Sequence, residues 1–321
     1  MSVLMSRRGM LSALPLGLLA AKADMLSGAA PAGFFGRIGK PIGLQLYTLG
    51  DDIGRDLERV LAEVAAIGYR DIEVPRLLGR TPAEIRAAAD AAGLRISCLH
   101  LPIGPLAMPG SFLLTNSDQQ IADALGALGA SQAVVPMFKL PDDLTLLPGE
   151  SFQAMLARRL AAAGEDIWKR TADLLNERAA ALKRLGITLG YHNHNIEFAA
   201  VGKRTGWDII AAETDPSLVF FEVDLGWVAA AGLDPAAFLK RQSGRVRWVH
   251  VKDVKATTKP NHALHLDPAE VGAGRLDWRR ILRAAEQAGV QHYYVEQEPP
   301  FAIPRMEAIR RSYAFLSALR A

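Results

Sequence analysis

The sequence predicts an α/β fold, a (β/α)8 TIM barrel, and three observations carry that expectation. Short β-branched runs alternate with helical stretches from residue 41 onward. A helix, then a glycine, then a strand recurs at Ile67-Gly68-Tyr69, Ala92-Gly93-Leu94, Leu128-Gly129-Ala130, Leu185-Gly186-Ile187 and Ala288-Gly289-Val290. Glycine suits that junction because the residue after a helix often takes positive φ. Eight strand candidates fit into roughly 280 residues, the count of this barrel.

In chain order the first strand candidate is Ile42–Thr48, followed by a helix over Arg55–Ala66. Asp71–Val74 and Arg95–His100 come next, separated by a helix over Pro82–Ala92. Gln132–Met137 follows the helical pattern of Asp118–Leu128, and Thr188–His192 follows that of Asp166–Leu185. Leu218–Asp224, Val246–Lys252 and Tyr293–Gln297 complete the set, with helices over Trp278–Ala288 and Arg305–Leu319. A doubly wound open sheet could use the same pieces, but no G-x-G-x-x-G follows the first strand and no P-loop is present. The irregular segments Leu101–Asn116, Lys139–Gly149 and Val254–Arg275 each follow a strand, so a barrel places them on its catalytic face as candidate lids.

The 321 residues are 50% hydrophobic and 22% charged with one cysteine, which excludes collagen-like, disordered and disulfide-stapled classes. Residues 1–23 contain Arg7, Arg8 and Lys22 and no acid, and these three account for the whole surplus of 37 basic over 34 acidic residues. The remainder is neutral, which argues against a nucleic-acid partner. Ser6-Arg7-Arg8-Gly9-Met10-Leu11 resembles a twin-arginine motif and leads through the apolar stretch Leu11–Ala21 to Ala21-Lys22-Ala23. The expectation is a signal peptide at 1–23, a linker at 24–40, a catalytic barrel at 41–321 and a periplasmic location. No stretch is long enough for a permanent membrane span. A homo-oligomer is compatible with this reading, and Cys98 has no partner for a disulfide.

Buried parallel strands should be apolar throughout, so an ionisable group at a strand's C-terminal end needs a reason. His100, His192, Asp224, His250 with Lys252, and Glu296 all hold that position, on five different strands. Asp224, His250 and Glu296, with a further group from the strand ending at His192, make a nitrogen and oxygen set suited to one divalent ion, Mn²⁺, Co²⁺, Zn²⁺ or Mg²⁺. Such an ion would stabilise the enediolate formed when a proton leaves the carbon next to a carbonyl, with Glu296 as the base. Lys252 either holds a developing oxyanion or forms a salt bridge to Glu222 or Asp224. Tyr47, His100 and Trp227 are candidates for sugar contacts, and Glu73 and Glu222 for orienting the ligands. His262, His265 and His292 are expected in surface or loop positions.

Leu44-Gln45-Leu46-Tyr47-Thr48-Leu49, Tyr191-His192-Asn193-His194-Asn195-Ile196-Glu197-Phe198, Asp224-Leu225-Gly226-Trp227-Val228, His250-Val251-Lys252-Asp253, Gly272-Ala273-Gly274-Arg275-Leu276-Asp277-Trp278 and Val295-Glu296-Gln297 resemble the xylose-isomerase-like sugar phosphate isomerase/epimerase family. The similarity covers about residues 41–320 in consistent order. It implies one divalent ion held by a glutamate, an aspartate, a histidine and a second glutamate; the last three resemble Asp224, His250 and Glu296. At the first ligand the family's Glu-Asn-His becomes His192-Asn193-His194, so either His192 replaces the glutamate or His194 or Glu197 reaches in. Glu197 is also a candidate substrate contact, and His194 a candidate catalytic acid or base.

The resemblance implies a metal-dependent isomerase or epimerase on a sugar or keto sugar. With a histidine in the first place, a symmetric two-glutamate epimerisation is disfavoured; a one-base isomerisation or a β-elimination by a keto-glycoside lyase or dehydratase fits the residues equally. A metal-dependent phosphodiesterase or endonuclease is the second alternative, disfavoured by the neutral charge. A non-catalytic sugar-binding barrel is the third, disfavoured by the retained Asp224, His250 and Glu296.

Overall fold

Eight strands close into a parallel barrel: β1 Gly43–Gln45, β2 Asp71–Val74, β3 Arg95–His100, β4 Gln132–Val135, β5 Thr188–His192, β6 Val219–Asp224, β7 Val246–Val251 and β8 His292–Val295. Each pairs with its sequence neighbours, and Gly43 meets both Asp71 of β2 and Tyr294 of β8, which seals the ring. This is a computed structural model, and it describes residues 33–50, 52–104, 107–141 and 143–321. The twin-arginine reading of residues 1–23 therefore lies outside the described residues. Among the described residues no helix is long and apolar enough to cross a membrane.

The five junction glycines all take positive φ, between 70° and 128°, a region closed to most side chains. Reciprocal caps set the starts of three outer helices, with Thr81 and Glu84, Ser117 and Gln120, and Thr205 and Asp208 exchanging side-chain and backbone bonds. The barrel's interior is filled midway by Phe220, Trp248 and Tyr294 with Cys98 and Val134. A Cβ on Gly43 would lie 2.4 Å from the Tyr294 ring and one on Gly190 2.5 Å from that of Phe220, so these two glycines make room for the aromatic layer.

Below that layer, at the N-terminal end, Asp71 is buried among donors. Arg95 reaches it at 2.5 Å, His292 Nδ1 lies 3.0 Å away, and Ser97 donates to its other oxygen. His292, expected in a surface or loop position, is thus the first residue of β8 and part of the barrel's lower closure. His262 and His265 are exposed, as expected.

The expected linker also differs. Phe34–Ile38 forms a helix whose Phe34 and Phe35 are buried edge-on against Tyr293, and Phe34 N donates to Leu319 O at 2.7 Å. Two adjacent phenylalanines bury too much apolar surface to remain in a solvated tether. Five strands shift their bounds as well: β1 runs from Gly43 to Gln45 and becomes a 3-10 turn over Leu46–Leu49, β4 stops at Val135, β6 begins at Val219, β7 stops before Lys252, and β8 spans His292–Val295.

Candidate metal centre

Glu73, His100, His192, Glu222, Asp224, His250 and Glu296 converge from six strand ends onto the C-terminal mouth, each less than a tenth exposed. They form two groups of four that share His250, with candidate ligand atoms of each group within 4.8 Å of one another. His192, Asp224, His250 and Glu296 make the upper group; Glu73, His100, Glu222 and His250 make the lower.

In the upper group, His250 Nδ1 lies 2.8 Å from Glu296 Oε2 and 3.8 Å from Asp224 Oδ2. Asp224 is placed by two backbone bonds: its N–H donates to Asn193 Oδ1 at 3.1 Å, and its Oδ1 caps the helix Leu225–Ala230 by accepting from Trp227 N at 2.9 Å. That leaves Oδ2 turned to the group. The lower group orients the rings above it. His250 Nε2 meets Glu73 Oε2 at 2.7 Å, and His192 Nδ1 meets Glu222 Oε2 at 3.1 Å. A carboxylate behind each imidazole fixes the ring and its tautomer, the usual support for a metal-binding histidine.

The donor set fits a divalent cation. The two groups hold four buried carboxyl groups beside one permanent cation, Lys252, whose Nζ lies 2.8 Å from Asp224 Oδ2 and 2.9 Å from Glu296 Oε2. Asp224 Oδ2 and Glu222 Oε1 are buried without an aligned hydrogen bond. Protons supply the missing charge. Burial, and then the neighbouring Glu222 carboxylate, push Glu73 well up; burial raises Asp224 to about 7; and against the cost of burial, Glu222, Glu296 and Glu73 hold His250 charged well above its ordinary value. A divalent ion replaces such protons, because its ligands must be deprotonated. Burial and the charge of His250 lower His192 to about 4, so that ring is neutral and able to ligate.

A cavity of about 270 Å³ opens above, and Tyr47, His100, His192, His194, His250 and Glu296 all line it. Three expected contacts do not. Lys252 is fully buried, its ammonium engaged by Asp224, Glu296 and Glu298, the last at 2.7 Å; its salt-bridge reading therefore describes the geometry. Trp227 lies behind it, with the Lys252 Nζ 5.1 Å from the ring centroid. Glu197 is enclosed, accepting from Tyr191 OH at 2.8 Å and from His194 N at 2.9 Å, so it shapes the turn that presents His194 and reaches neither metal group nor cavity. The His194 ring, 5.2 Å from that of His192, has no partner for its buried Nδ1 and is held neutral by burial, which leaves Nε2 as the atom available to a ligand.

Two lining residues are additions. Gln45 donates from Nε2 to Glu73 Oε2 at 3.2 Å and lies 3.1 Å from His100 Nε2, and Glu298 lies two residues beyond Glu296. The strand-end rule would have found Gln45 had β1 been bounded there.

Fold and site define a (β/α)8 barrel of an enzyme superfamily, with its polar residues gathered at the strand ends. The chain belongs to the xylose isomerase-like TIM barrel family, whose profile matches residues 61–319. It is 28% identical over 209 residues to an inosose dehydratase of Geobacillus kaustophilus, an alignment covering 64% of each chain. To an inosose dehydratase of Clostridium perfringens it is 25% identical over 285 residues, covering 81% of this chain and 89% of the other. Among solved structures, a sugar phosphate isomerase/epimerase of Parabacteroides distasonis aligns with a TM-score of 0.66 and 26% identity, over 87% of this chain and 94% of that one.

Proposed function

We propose that the chain removes the proton next to the carbonyl of a keto sugar or related hydroxylated ring ketone, and that the reaction proceeds by β-elimination. The observation that carries this reading is the asymmetry of the cavity. Both carboxylates that line it, Glu296 and Glu298, leave the same strand end and are held by the same Lys252, while the ionisable groups lining it from other strand ends are the histidines His100, His192 and His250 of β3, β5 and β7. A two-carboxylate epimerisation lacks its second base; one base and one neutral imidazole suit proton removal with a hydrogen-bond donor held to the leaving oxygen. The inosose dehydratase relatives support the same choice by name.

His192, Asp224, His250 and Glu296 would hold the ion, whose chemistry is to polarise the carbonyl and carry developing negative charge. Against the cost of burial, Lys252 and His250 keep Glu296 well below the usual carboxylate range, hence ionised. So weak a base can take a carbon-bound proton only from a strongly acidified carbon, which makes the electrophile a requirement. Glu296 takes the α-proton, the C–H electron pair becomes the new double bond as the β carbon–oxygen bond breaks, and the departing oxygen, held by a hydrogen bond from the His194 Nε2–H, leaves with the proton that Glu296 returns, so that both side chains end as they began. His100 and Gln45 are placed to bond hydroxyls of the ring.

Glu296→Gln keeps shape and one ligand oxygen, and should abolish solvent deuterium uptake into a keto sugar while retaining part of the bound Mn²⁺. His194→Ala should keep the exchange and lose the enone absorbance of the eliminated product. Unchanged exchange in Glu296→Gln would refute the base, and clean recovery of an isomerised sugar without enone would refute the elimination.

A further inference from the structure

The cavity above the candidate metal centre has unlike walls. Its polar side ends at Glu296, after β8, and β4 lies four strands away around the closed ring, so the segments after β3 and β4 face Glu296 across the mouth. Those segments contribute Pro102, Ile103, Met108, Met137, Phe138 and Leu140, none of which has a side chain that donates or accepts a strong hydrogen bond. Ser111 is the one hydroxyl side chain among the described residues lining that part.

The wall is fixed at its base and adaptable at its rim. Phe138 packs on Trp168 of the helix Asp166–Lys183 with ring centroids 4.7 Å apart, and Lys139 N donates to Thr171 Oγ1 on the same helix at 3.1 Å. Met108 and Met137 are flexible, polarisable side chains that adjust to ligand shape. A free sugar carries hydroxyls around its whole rim. Those turned to this wall would lose water and gain no partner, which opposes binding. An apolar group placed there is removed from water and gains contact.

The geometry points to a subsite for an apolar, preferably aromatic, substituent of the sugar: the substrate is a glycoside of a hydrophobic alcohol, with the sugar ketone at the polar pole and the substituent on the wall formed after β3 and β4. This rests on the reading of the polar pole as a sugar-ketone site. The substituent need not be a single compound, because the two methionines tolerate different outlines.

Binding of phenyl β-D-glucopyranoside and methyl β-D-glucopyranoside to the full chain loaded with Mn²⁺, compared by calorimetry, tests the subsite without turnover. The phenyl glucoside should bind at least tenfold more tightly. That ratio should fall below threefold in Phe138→Ala and in Ile103→Ser, the second variant lying in a surface segment so that folding is retained if the first is unstable. His265→Ala, on an exposed segment away from the cavity lining, should keep the preference. Equal affinity for the two glucosides, or binding of neither, overturns the subsite. A phenyl preference with no deuterium exchange into any keto sugar leaves the subsite standing and removes the sugar-ketone reading; exchange without the preference does the reverse.

Discussion

At the N-terminal end of the barrel one acid, Asp71, sits among Arg95, His292 and Ser97; at the C-terminal end Asp224 and Glu296 share Lys252 while Glu73 and Glu222 face the histidines. The carboxylates of both clusters are buried, and both combine them with histidine. They differ in the ratio of donors to acceptors. Burial opposes the charge of Asp71, yet its bonds to His292, Arg95 and Ser97 bring it below its ordinary value. The lower cluster, that of Asp71 at the N-terminal end, is complete within the chain and acts as a closure. The upper one, at the C-terminal end, favours protonation at Glu73 and Asp224 and leaves Glu222 Oε1 without a hydrogen bond, a balance that could accept a further cation. Residue types alone do not separate a structural cluster from a binding one; their balance does.

The strongest way to break this contrast is to remove an acid from the upper cluster. Asp224→Asn, which keeps the cap on Trp227 N and a neutral partner for Lys252, should lower Mn²⁺ affinity at least about a hundredfold, more than loss of an outer-shell partner would, and leave the denaturant unfolding curve near that of the parent. Retained Mn²⁺ affinity would show that the upper cluster is as self-contained as the lower. The opposite pattern is expected for Asp71→Ala, which strands Arg95 and His292: a loss of about 3 kcal/mol in unfolding free energy, with Mn²⁺ affinity within twofold of the parent. Weakened Mn²⁺ binding in that variant would mean the two ends are coupled.

The smallest effect concerns pH and has opposite signs at the two ends. Asp224 is raised to about 7, so protons compete with the ion below that pH, and uptake of Mn²⁺ should strengthen about tenfold between pH 6 and pH 8. The proton on His250 acts in the same direction. Asp71 is lowered in the folded chain, so its stabilisation is present above the ordinary carboxylate value near 4 and is lost as pH falls through the folded value. Unfolding free energy should therefore decline below about pH 4 in the parent and less steeply in Asp71→Ala. Mn²⁺ titration and urea unfolding at each pH separate the two trends.

The barrel was legible because its evidence repeats: five glycine junctions and eight alternating runs each point to the same unit. His192, Asp224, His250 and Glu296 were legible because a charge that ends an apolar strand is costly to bury unless something binds it. Gln45 was hidden by a strand drawn three residues too long, and His292 by one begun a residue too late. Lys252, Trp227 and Glu197 show a different limit. Their distance along the chain from the ligands is correct, but which way each side chain turns depends on Glu298, Asp224 and Tyr191, partners that no local pattern reveals. The helix at Phe34–Ile38 escaped because five residues carry too little periodicity, although its phenylalanine pair was visible.

Cys98 lies in the aromatic layer between the two clusters, its thiol donating to Glu73 Oε1 at 3.1 Å. Burial, and then the charge of Glu73, push that thiol well above its ordinary value, so almost no thiolate forms while the barrel is closed. Alkylating reagents consequently meet an inert sulfur until the strands around it part. The chain thus carries its own clock: the rate at which iodoacetamide modifies Cys98 reads the opening of the barrel wall, with no probe to be engineered in and, since this is the sequence's one cysteine, no second sulfur to confuse the signal.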